Sequence, residues 1–280
     1  MYDFILQVTN IDKQFPGVHA LKDVSFSVLR GEVHGLIGEN GAGKSTLIKS
    51  ITGAYSYDSG SIIFIDETGT QFKIHNPSDA KAAGIAAAYQ DLLAAPELTV
   101  GENFFLGRIP KTSLGAVDWS YIYQYSSKIL REYGISVDPR KKMRQLTVSQ
   151  QMMVTIAKLS SEHAKLIIFD EPTALLPNQE VQTFYKILRK LRANGVSMIY
   201  VSHRLEEILE VCDRVTVLKD GAIVGTKETS SVTEGMLISM MVGRSMSDIY
   251  QINKGVPGAE VLRVEHLTRK NSFSGVLCNG

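Results

Sequence analysis

The nine residues Gly38–Thr46, GENGAGKST, constrain the fold of this chain more than any other stretch. They follow the apolar run Val33–Ile37 and fit the spacing G-x4-G-K-[ST], which is typical of a loop that binds phosphate between a strand and a helix. Glycines allow the backbone to wrap so that successive N–H groups point at one anion, and the following helix directs the positive end of its dipole there. Lys44 adds a positive charge, and the Ser45 hydroxyl can bind Mg²⁺. The segment therefore predicts a phosphate cradle within an α/β fold.

The rest of the chain alternates between short apolar runs and segments with helical periodicity. The pattern predicts strands at Ile5–Val8, Val24–Val28, Val33–Ile37, Ser61–Ile65, Gly84–Tyr89, Leu166–Phe169, Val196–Val201 and Arg214–Leu218. It predicts helices at Lys44–Thr52, Tyr121–Tyr133, Ser149–Leu159, Asn178–Leu191 and Leu205–Val211. Because apolar strands that alternate with helices form parallel sheets, we predict a mainly parallel core sheet covered by helices. The strand-poor block of about residues 91–162 is predicted to be an inserted helical subdomain.

Two acidic residues follow the apolar strand predicted at Leu166–Phe169. Open α/β sheets bind their ligands at the carboxyl ends of the strands, so Asp170 and Glu171 are expected near the phosphate cradle. Because neighbouring side chains of a strand point to opposite sides, Asp170 can hold Mg²⁺ while Glu171 polarises the attacking water. An acidic pair of this kind is also typical of a solvated strand end, and the phosphate loop favours the functional interpretation.

A pattern from the beginning of the sequence returns later. Val261–Arg269 has apolar residues at the same places as Ile5–Lys13, and FSGV at Phe273–Val276 echoes FPGV at Phe15–Val18. Two interpretations stay open, a chance edge strand and a second copy of the domain that begins at about Ala259.

Composition excludes several classes of protein. The chain has 30 Lys and Arg against 29 Asp and Glu, so no overall field attracts nucleic acid or an anionic membrane. The two cysteines, Cys212 and Cys278, lie far apart, and we expect a reducing compartment and no disulfide. No apolar run approaches the roughly 20 residues that span a bilayer, and the N-terminus does not resemble a signal peptide. We therefore predict a cytosolic chain, for which any membrane role would come through a partner.

One further segment resembles the signature of a known family. Leu146–Gln151, LTVSQQ, lies shortly before the acidic strand end and resembles the signature of the ATP-binding cassette (ABC) ATPases. Three single residues follow the order of that family: Phe15 at the place of an aromatic that stacks on adenine, Gln90 at that of a glutamine that contacts Mg²⁺ and the transport partner, and His203 at that of the histidine that contacts the γ-phosphate.

The resemblance implies a role for each of these residues. Nucleotide contacts fall on Phe15, Val18, Gly38, Glu39, Asn40, Gly41, Ala42, Gly43, Lys44, Ser45 and Thr46, and metal contacts on Ser45, Gln90 and Asp170. Catalytic roles fall on Lys44, Gln90, Glu171 and His203. The signature residues Leu146, Thr147, Val148, Ser149 and Gln150 would complete the ATP site of a partner cassette. The implied fold is a P-loop NTPase cassette of the α/β class, with a mainly parallel core sheet, a small antiparallel β subdomain and an inserted helical subdomain.

Several phrases resemble one branch of the family, the importers of ribose, galactose and xylose. They are FPGVHAL, GENGAGKSTLIK, ENFFLGR, QQMMVTIAK and SHRLEEI. Members of that branch fuse two cassettes, which implies a cassette over residues 1–245, a linker over 246–258 and the start of a second cassette over 259–280. The implied cofactors are ATP and Mg²⁺. The implied partners are a second cassette, transmembrane permease subunits and, indirectly, a periplasmic or extracellular sugar-binding protein, at the cytoplasmic face of the cell membrane and without nucleic acid.

Two positions depart from the family pattern. Ser149 replaces a glycine of the general signature L-S-G-G-Q, and Pro177 replaces the aspartate that ends the general segment S-A-L-D. Both positions serve the partner's ATP site in the family. The hypothesis is that this cassette hydrolyses ATP at its own loop while its signature contributes weakly to the opposite site.

Two other functions stay open. Cassette ATPases that act on DNA or ribosomes need a basic surface or a long heptad-rich arm, and this chain has only short clusters such as Arg140–Arg144. A regulatory module that binds nucleotide with little turnover is compatible with Ser149 and Pro177.

Overall fold

The computed structural model describes residues 4–88, 94–162, 164–174, 176–243, 263–269 and 273–279. The chain divides into two compact units, Met1–Gly243 and Arg244–Gly280, and each is described by itself. Gln90, with its predicted catalytic and metal-binding roles, and the predicted linker over residues 246–258 lie outside the described residues.

Strands and helices alternate along the first unit, as the apolar pattern predicts. The strands are β1 Phe4–Phe15, β2 Val18–Leu29, β3 Val33–Ile37, β4 Ser59–Ile65, β5 Gln71–Lys73, β6 Ile85–Ala88, β7 Leu166–Asp170, β8 Ser197–Val201, β9 Arg214–Lys219, β10 Ala222–Glu228, β11 Arg263–Arg269 and β12 Phe273–Asn279. The α-helices are α1 Lys44–Ile51, α2 Pro77–Ala83, α3 Val100–Phe104, α4 Trp119–Glu132, α5 Val148–Ser161, α6 Asn178–Ala193, α7 Leu205–Val211 and α8 Glu234–Val242. Within the described ranges, none of these helices combines the length and the apolar character needed to cross a membrane.

The central sheet of the first unit has the strand order β10-β9-β3-β8-β7-β6. β3 pairs in parallel with β8 and β9, and β7 pairs in parallel with β6 and β8, whereas β10 pairs antiparallel with β9 at one edge. β3 and β8 are buried along their whole length, as expected of strands covered on both faces. The predicted mainly parallel sheet is confirmed, and the carboxyl ends of β3, β8 and β7 meet at one edge of it.

A smaller, antiparallel sheet has the order β2-β1-β4-β5. Within it Val8 lies opposite Phe26 on one side and Ile62 on the other. All three are buried, and they belong to one core cluster with Leu47 of α1 and Leu36 of β3. This sheet is the small antiparallel β subdomain that the resemblance implies, and its core holds α1 against the central sheet.

Among the described residues between β6 and β7 the regular elements are helices, as the loss of strand signals predicts. Capping boxes begin two of these helices: Thr99 accepts a hydrogen bond from the backbone of Glu102 at α3, and Thr147 from that of Gln150 at α5. Asp118 caps α4 by accepting from the backbone N–H of Tyr121. The inserted helical subdomain of the predicted fold is confirmed.

The sequence pattern did not predict α2, α8, β5 and β10. α2 begins after Asn76, whose side chain accepts from the N–H of Asp79, with Pro77 at the first helical position. The helix is too short for its periodicity to stand out. β10 follows the turn at Asp220 and Gly221 and forms through its pairing with β9, which a local pattern does not record.

In the second unit, β11 and β12 form an antiparallel hairpin in which Val264 is paired with Cys278. Antiparallel pairing is also the arrangement of β1 and β2, whose sequence this segment repeats. The start of a second cassette over residues 259–280 stays a prediction.

Candidate nucleotide site

The loop between β3 and α1 is packed so closely that two of its glycines are required. A Cβ on Gly38 would lie 2.2 Å from the carbonyl oxygen of Leu218 in β9. Gly43, which precedes α1, has a φ of 106°, and a Cβ there would lie 2.6 Å from the carbonyl oxygen of Ala20 in β2. Only glycine permits both the positive φ and the close approach. The loop therefore fits between β2 and β9 and presents the N-terminus of α1 to a cleft.

Lys44 is nearly buried at the start of α1. Its ammonium donates to the carbonyl oxygens of Gly38 at 2.7 Å and Glu39 at 3.0 Å. Burial lowers the pKa of Lys44, and the nearby carboxylates of Glu171 and Asp170 act in the opposite direction. The cation is thus held between the loop backbone and the two predicted acids.

Asp170 at the end of β7 and Glu171, which follows it, line the same cleft. Burial, followed by the neighbouring carboxylate of Glu171, raises the pKa of Asp170. Glu171 has a φ of 50°, which is uncommon for a residue with a side chain, and its N–H donates to the carbonyl oxygen of Val201. A hydrogen bond of 3.1 Å joins Oε1 of Glu171 to Nδ1 of His203. The predicted water-orienting acid and the predicted γ-phosphate contact are therefore neighbours.

These groups surround one cavity of about 840 Å³. The predicted residues on its wall are Phe15, Val18, Asn40, Gly41, Gly43, Lys44, Ser45, Thr46, Asp170 and Glu171. Gly38, Glu39 and Ala42 belong to the same loop but do not line the cavity, and His203 contacts the wall through Glu171. The volume lies within the range of small-molecule sites, about 300–1,000 Å³.

The cavity wall also contains residues that the sequence did not predict. They are Gly17, His19, Ala20, Lys22, Asp220 and Gly221. The N–H of Gly221 donates to the carbonyl oxygen of Ala42, and the carbonyl of Gly221 accepts from the N–H of Lys22. The turn between β9 and β10 is therefore fastened to the phosphate loop. Its sequence predicts a turn, but no local signal indicates its place beside the loop.

An aromatic ring stands at one part of the wall. Phe15 is half-buried and meets Tyr55 edge to face, with ring centroids 5.6 Å apart and planes at 72°. The ammonium of Lys13 lies 5.3 Å from the centroid of the same ring. A ring held in this way offers a stacking surface for a planar base.

The signature segment lies apart from this cavity, at the start of α5. Thr147 caps the helix, and its own N–H donates to the Gln150 side chain at 3.1 Å. Leu146 and Ser149 are buried, whereas Val148 is 43% exposed. The segment thus presents Val148, rather than Ser149, at the molecular surface.

The donors around the cavity fit a magnesium ion. Ser45 supplies a hydroxyl and Asp170 a carboxylate, both oxygen ligands of the kind that Mg²⁺ prefers. Across the described part of the chain, no group of three or more His, Cys, Asp or Glu residues could hold a metal by itself. Such a donor set suits an ion that takes its other ligands from water and substrate phosphates.

Comparison with known proteins identifies the family of the chain. The family model of the ABC transporter matches residues 21–174. The xylose import ATP-binding protein XylG of Geobacillus kaustophilus (strain HTA426) is 44% identical over 268 residues, which are 95% of this chain and 52% of that protein. The ribose import ATP-binding protein RbsA 1 of Streptomyces avermitilis is 44% identical over 274 residues, 98% of this chain and 52% of that protein. The chain spans about half the length of the curated relatives it matches.

Solved structures share the fold. The ADP conformation of an ATP-binding cassette of an ABC transporter superposes with a TM-score of 0.73 at 27% identity, covering 86% of this chain and 99% of that one. A nucleotide-free ATP-binding cassette gives a TM-score of 0.71 at 28% identity, covering 86% and 95%.

Proposed function

The chain belongs to the ABC transporter family of ATP-binding cassettes, and from that premise we propose that it binds Mg·ATP in the cavity beside Lys44 and hydrolyses it to power import of a simple sugar through a membrane permease. The observation that carries the proposal is the meeting of the phosphate loop, the acids Asp170 and Glu171 and the ring of Phe15 around one cavity. The names of the relatives, xylose and ribose import ATP-binding proteins, support the class of cargo.

Backbone and charge hold the nucleotide. The N–H groups at the N-terminus of α1 and the ammonium of Lys44 face the terminal phosphates. Ser45 and Asp170, with Gln90 as a further predicted ligand, would hold Mg²⁺, which would offset the charge of the phosphates. Phe15 offers its ring to the adenine.

Hydrolysis needs a water molecule aligned with the γ-phosphate. The carboxylate of Glu171 accepts a hydrogen bond from that water and orients it for in-line attack. His203 is hydrogen-bonded to Glu171 and exposed toward solvent, so it is available to contact the γ-phosphate. Lys44 stabilises the charge that develops on the phosphate oxygens.

The signature serves the ATP site of a second cassette in this proposal, and we keep the hypothesis that its contribution there is weak. Ser149 replaces a glycine of the general signature, but it is only 4% exposed, so it offers little surface to a facing nucleotide. The remaining support for the hypothesis is Pro177, which has no carboxylate to reach across an interface.

The proposed partners are a second cassette, permease subunits and an external sugar-binding protein, with this chain on the cytoplasmic face of the membrane. The pattern repeated at Val261–Arg269, its antiparallel pairing, and the length of the relatives support a second cassette over residues 259–280. A reading frame that continues into a second cassette, beside genes for a permease and a solute-binding protein, would confirm this part. A locus with neither would contradict it.

Two variants test the ATPase itself, with Lys186→Ala on the exposed face of α6 as the control for loss of a lysine. Lys44→Ala is expected to weaken Mg·ATP binding about 30-fold or more. The variant lacks a buried positive charge, and losing such a charge costs about 2 kcal/mol or more of binding free energy. Glu171→Gln is expected to keep the affinity and to lower turnover about 100-fold or more. Calorimetry and phosphate release measure these two effects.

The outcomes separate the alternatives. A Lys44→Ala variant with the parent's affinity, or a Glu171→Gln variant with the parent's turnover, would contradict the proposal. Turnover stimulated by nucleic acid at physiological salt would favour the DNA or ribosome class. Binding without turnover, even beside a second cassette, would favour the regulatory module.

A further inference from the structure

A carboxylate with no predicted role is buried next to the site. Glu207 of α7 is 5% exposed. The hydroxyl of Thr173 lies 2.7 and 2.6 Å from its two carboxylate oxygens, and the Tyr200 hydroxyl donates at 2.8 Å. Ser202 donates at 3.1 Å, and the guanidinium of Arg204 forms an ion pair at 2.9 Å. The carboxylate of Glu207 therefore interacts with four donor side chains.

Two of these donors, Thr173 and Ser202, come from the two loops that carry the predicted catalytic groups. Thr173 lies on the turn after β7, shortly beyond Glu171. Ser202 lies on the loop after β8 and directly precedes His203. Glu207 thus bridges the carboxyl ends of two neighbouring strands, and it does not line the cavity.

Such a bridge matters because packing does not hold the histidine. The His203 side chain is 57% exposed, so its 3.1 Å contact with Glu171 depends on where the two loop backbones lie. Burying a carboxylate is unfavourable unless its oxygens are fully bonded, and here they are. Burial raises the pKa of Tyr200 well above its usual value, so its hydroxyl stays protonated and donates. A fully bonded buried network is rigid.

We propose that Glu207 is a positioning residue for ATP hydrolysis: it fastens the turn after β7 to the loop after β8, and so keeps His203 beside Glu171 and Glu171 aligned with the attacking water. The inference rests on the proposed function, since it concerns ATP hydrolysis in the same cavity. It assigns no contact between Glu207 and the nucleotide. Its action passes through the two loops.

The test compares Glu207→Gln with Glu206→Gln in the whole chain. Both changes remove one charge from α7 and keep the side-chain volume, but Glu206 is exposed and Glu207 is buried among its donors. The amide cannot accept every bond that the carboxylate accepts, and it loses the ion pair with Arg204. Misplacing a catalytic group in this way is expected to lower kcat about 10- to 100-fold in Glu207→Gln. KM and the Kd of Mg·ATP are expected to stay within about twofold of the parent in both variants.

Two further measurements separate positioning from damage to the fold. Turnover is expressed per nucleotide-binding site, so unfolded protein does not enter kcat. Single-turnover hydrolysis is then measured for Glu207→Gln in a His203→Ala background. If Glu207 acts through His203, Glu207→Gln lowers the hydrolysis rate much less in the His203→Ala background than in the parent.

Each outcome has a definite meaning. Equal kcat values for Glu207→Gln and Glu206→Gln, or effects of Glu207→Gln and His203→Ala that multiply fully, would overturn the inference. The proposed function would survive either result as long as the parent hydrolyses ATP and Glu171→Gln does not. A parent without turnover would overturn the proposed function and the inference with it.

Discussion

Alanine at Gly38 is expected to destabilise the protein more than alanine at Gly41, although both glycines belong to the phosphate loop. A Cβ at Gly38 would lie 2.2 Å from the carbonyl oxygen of Leu218, and a backbone atom cannot rotate aside as a side chain can. Overpacking of this severity costs about 3 kcal/mol. At Gly41 the φ is 83°, but no atom lies within 4 Å of the Cβ position. There the cost is left-handed strain alone, about 1–2 kcal/mol.

Urea unfolding of the parent and of both variants measures these free energies of unfolding directly. Because each kcal/mol corresponds to about 2–4 °C in a unit of this size, Gly38→Ala is expected to lower Tm by roughly 6–12 °C and Gly41→Ala by roughly 2–8 °C. Equal losses at the two positions would refute the argument, and so would a larger loss at Gly41. Either result would mean that the packing of the loop against β9 is not what requires glycine.

Two further predictions concern the cavity wall. Burial raises the pKa of Asp170, so between its unfolded and folded pKa values the folded chain binds more protons and stability falls as the pH rises. Asp170→Asn removes this contribution. In urea unfolding, the variant is expected to be more stable than the parent at pH 7, and its free energy of unfolding is expected to change less between about pH 4 and pH 7. A variant that is less stable than the parent at pH 7 would contradict the assignment. Phe15→Ala is expected to weaken Mg·ATP binding about 5- to 150-fold in calorimetry, because stacking on one base is worth about 1–3 kcal/mol. An unchanged affinity would remove Phe15 from the site.

The sequence by itself determined the parts of the site that are contiguous along the chain. The spacing of glycine, lysine and serine in Gly38–Thr46 specifies an anion cradle wherever that loop lies, and the apolar run before Asp170 ends in acids whatever its neighbours are. Alternation of apolar and helical segments was enough to predict β3 with its observed bounds and to place α6 closely, because both patterns are local.

Only the tertiary structure decided which distant residues meet. The turn at Asp220 lies beside the phosphate loop because β9 is the neighbour of β3, and Glu207 bridges Thr173 and Ser202 because β8 is the neighbour of β7. In the sequence Glu207 is one of two adjacent acids on a short helix, and nothing local separates it from the exposed Glu206. Strand order is a property of non-local pairing, whereas periodicity reports only which face of its own element a side chain occupies.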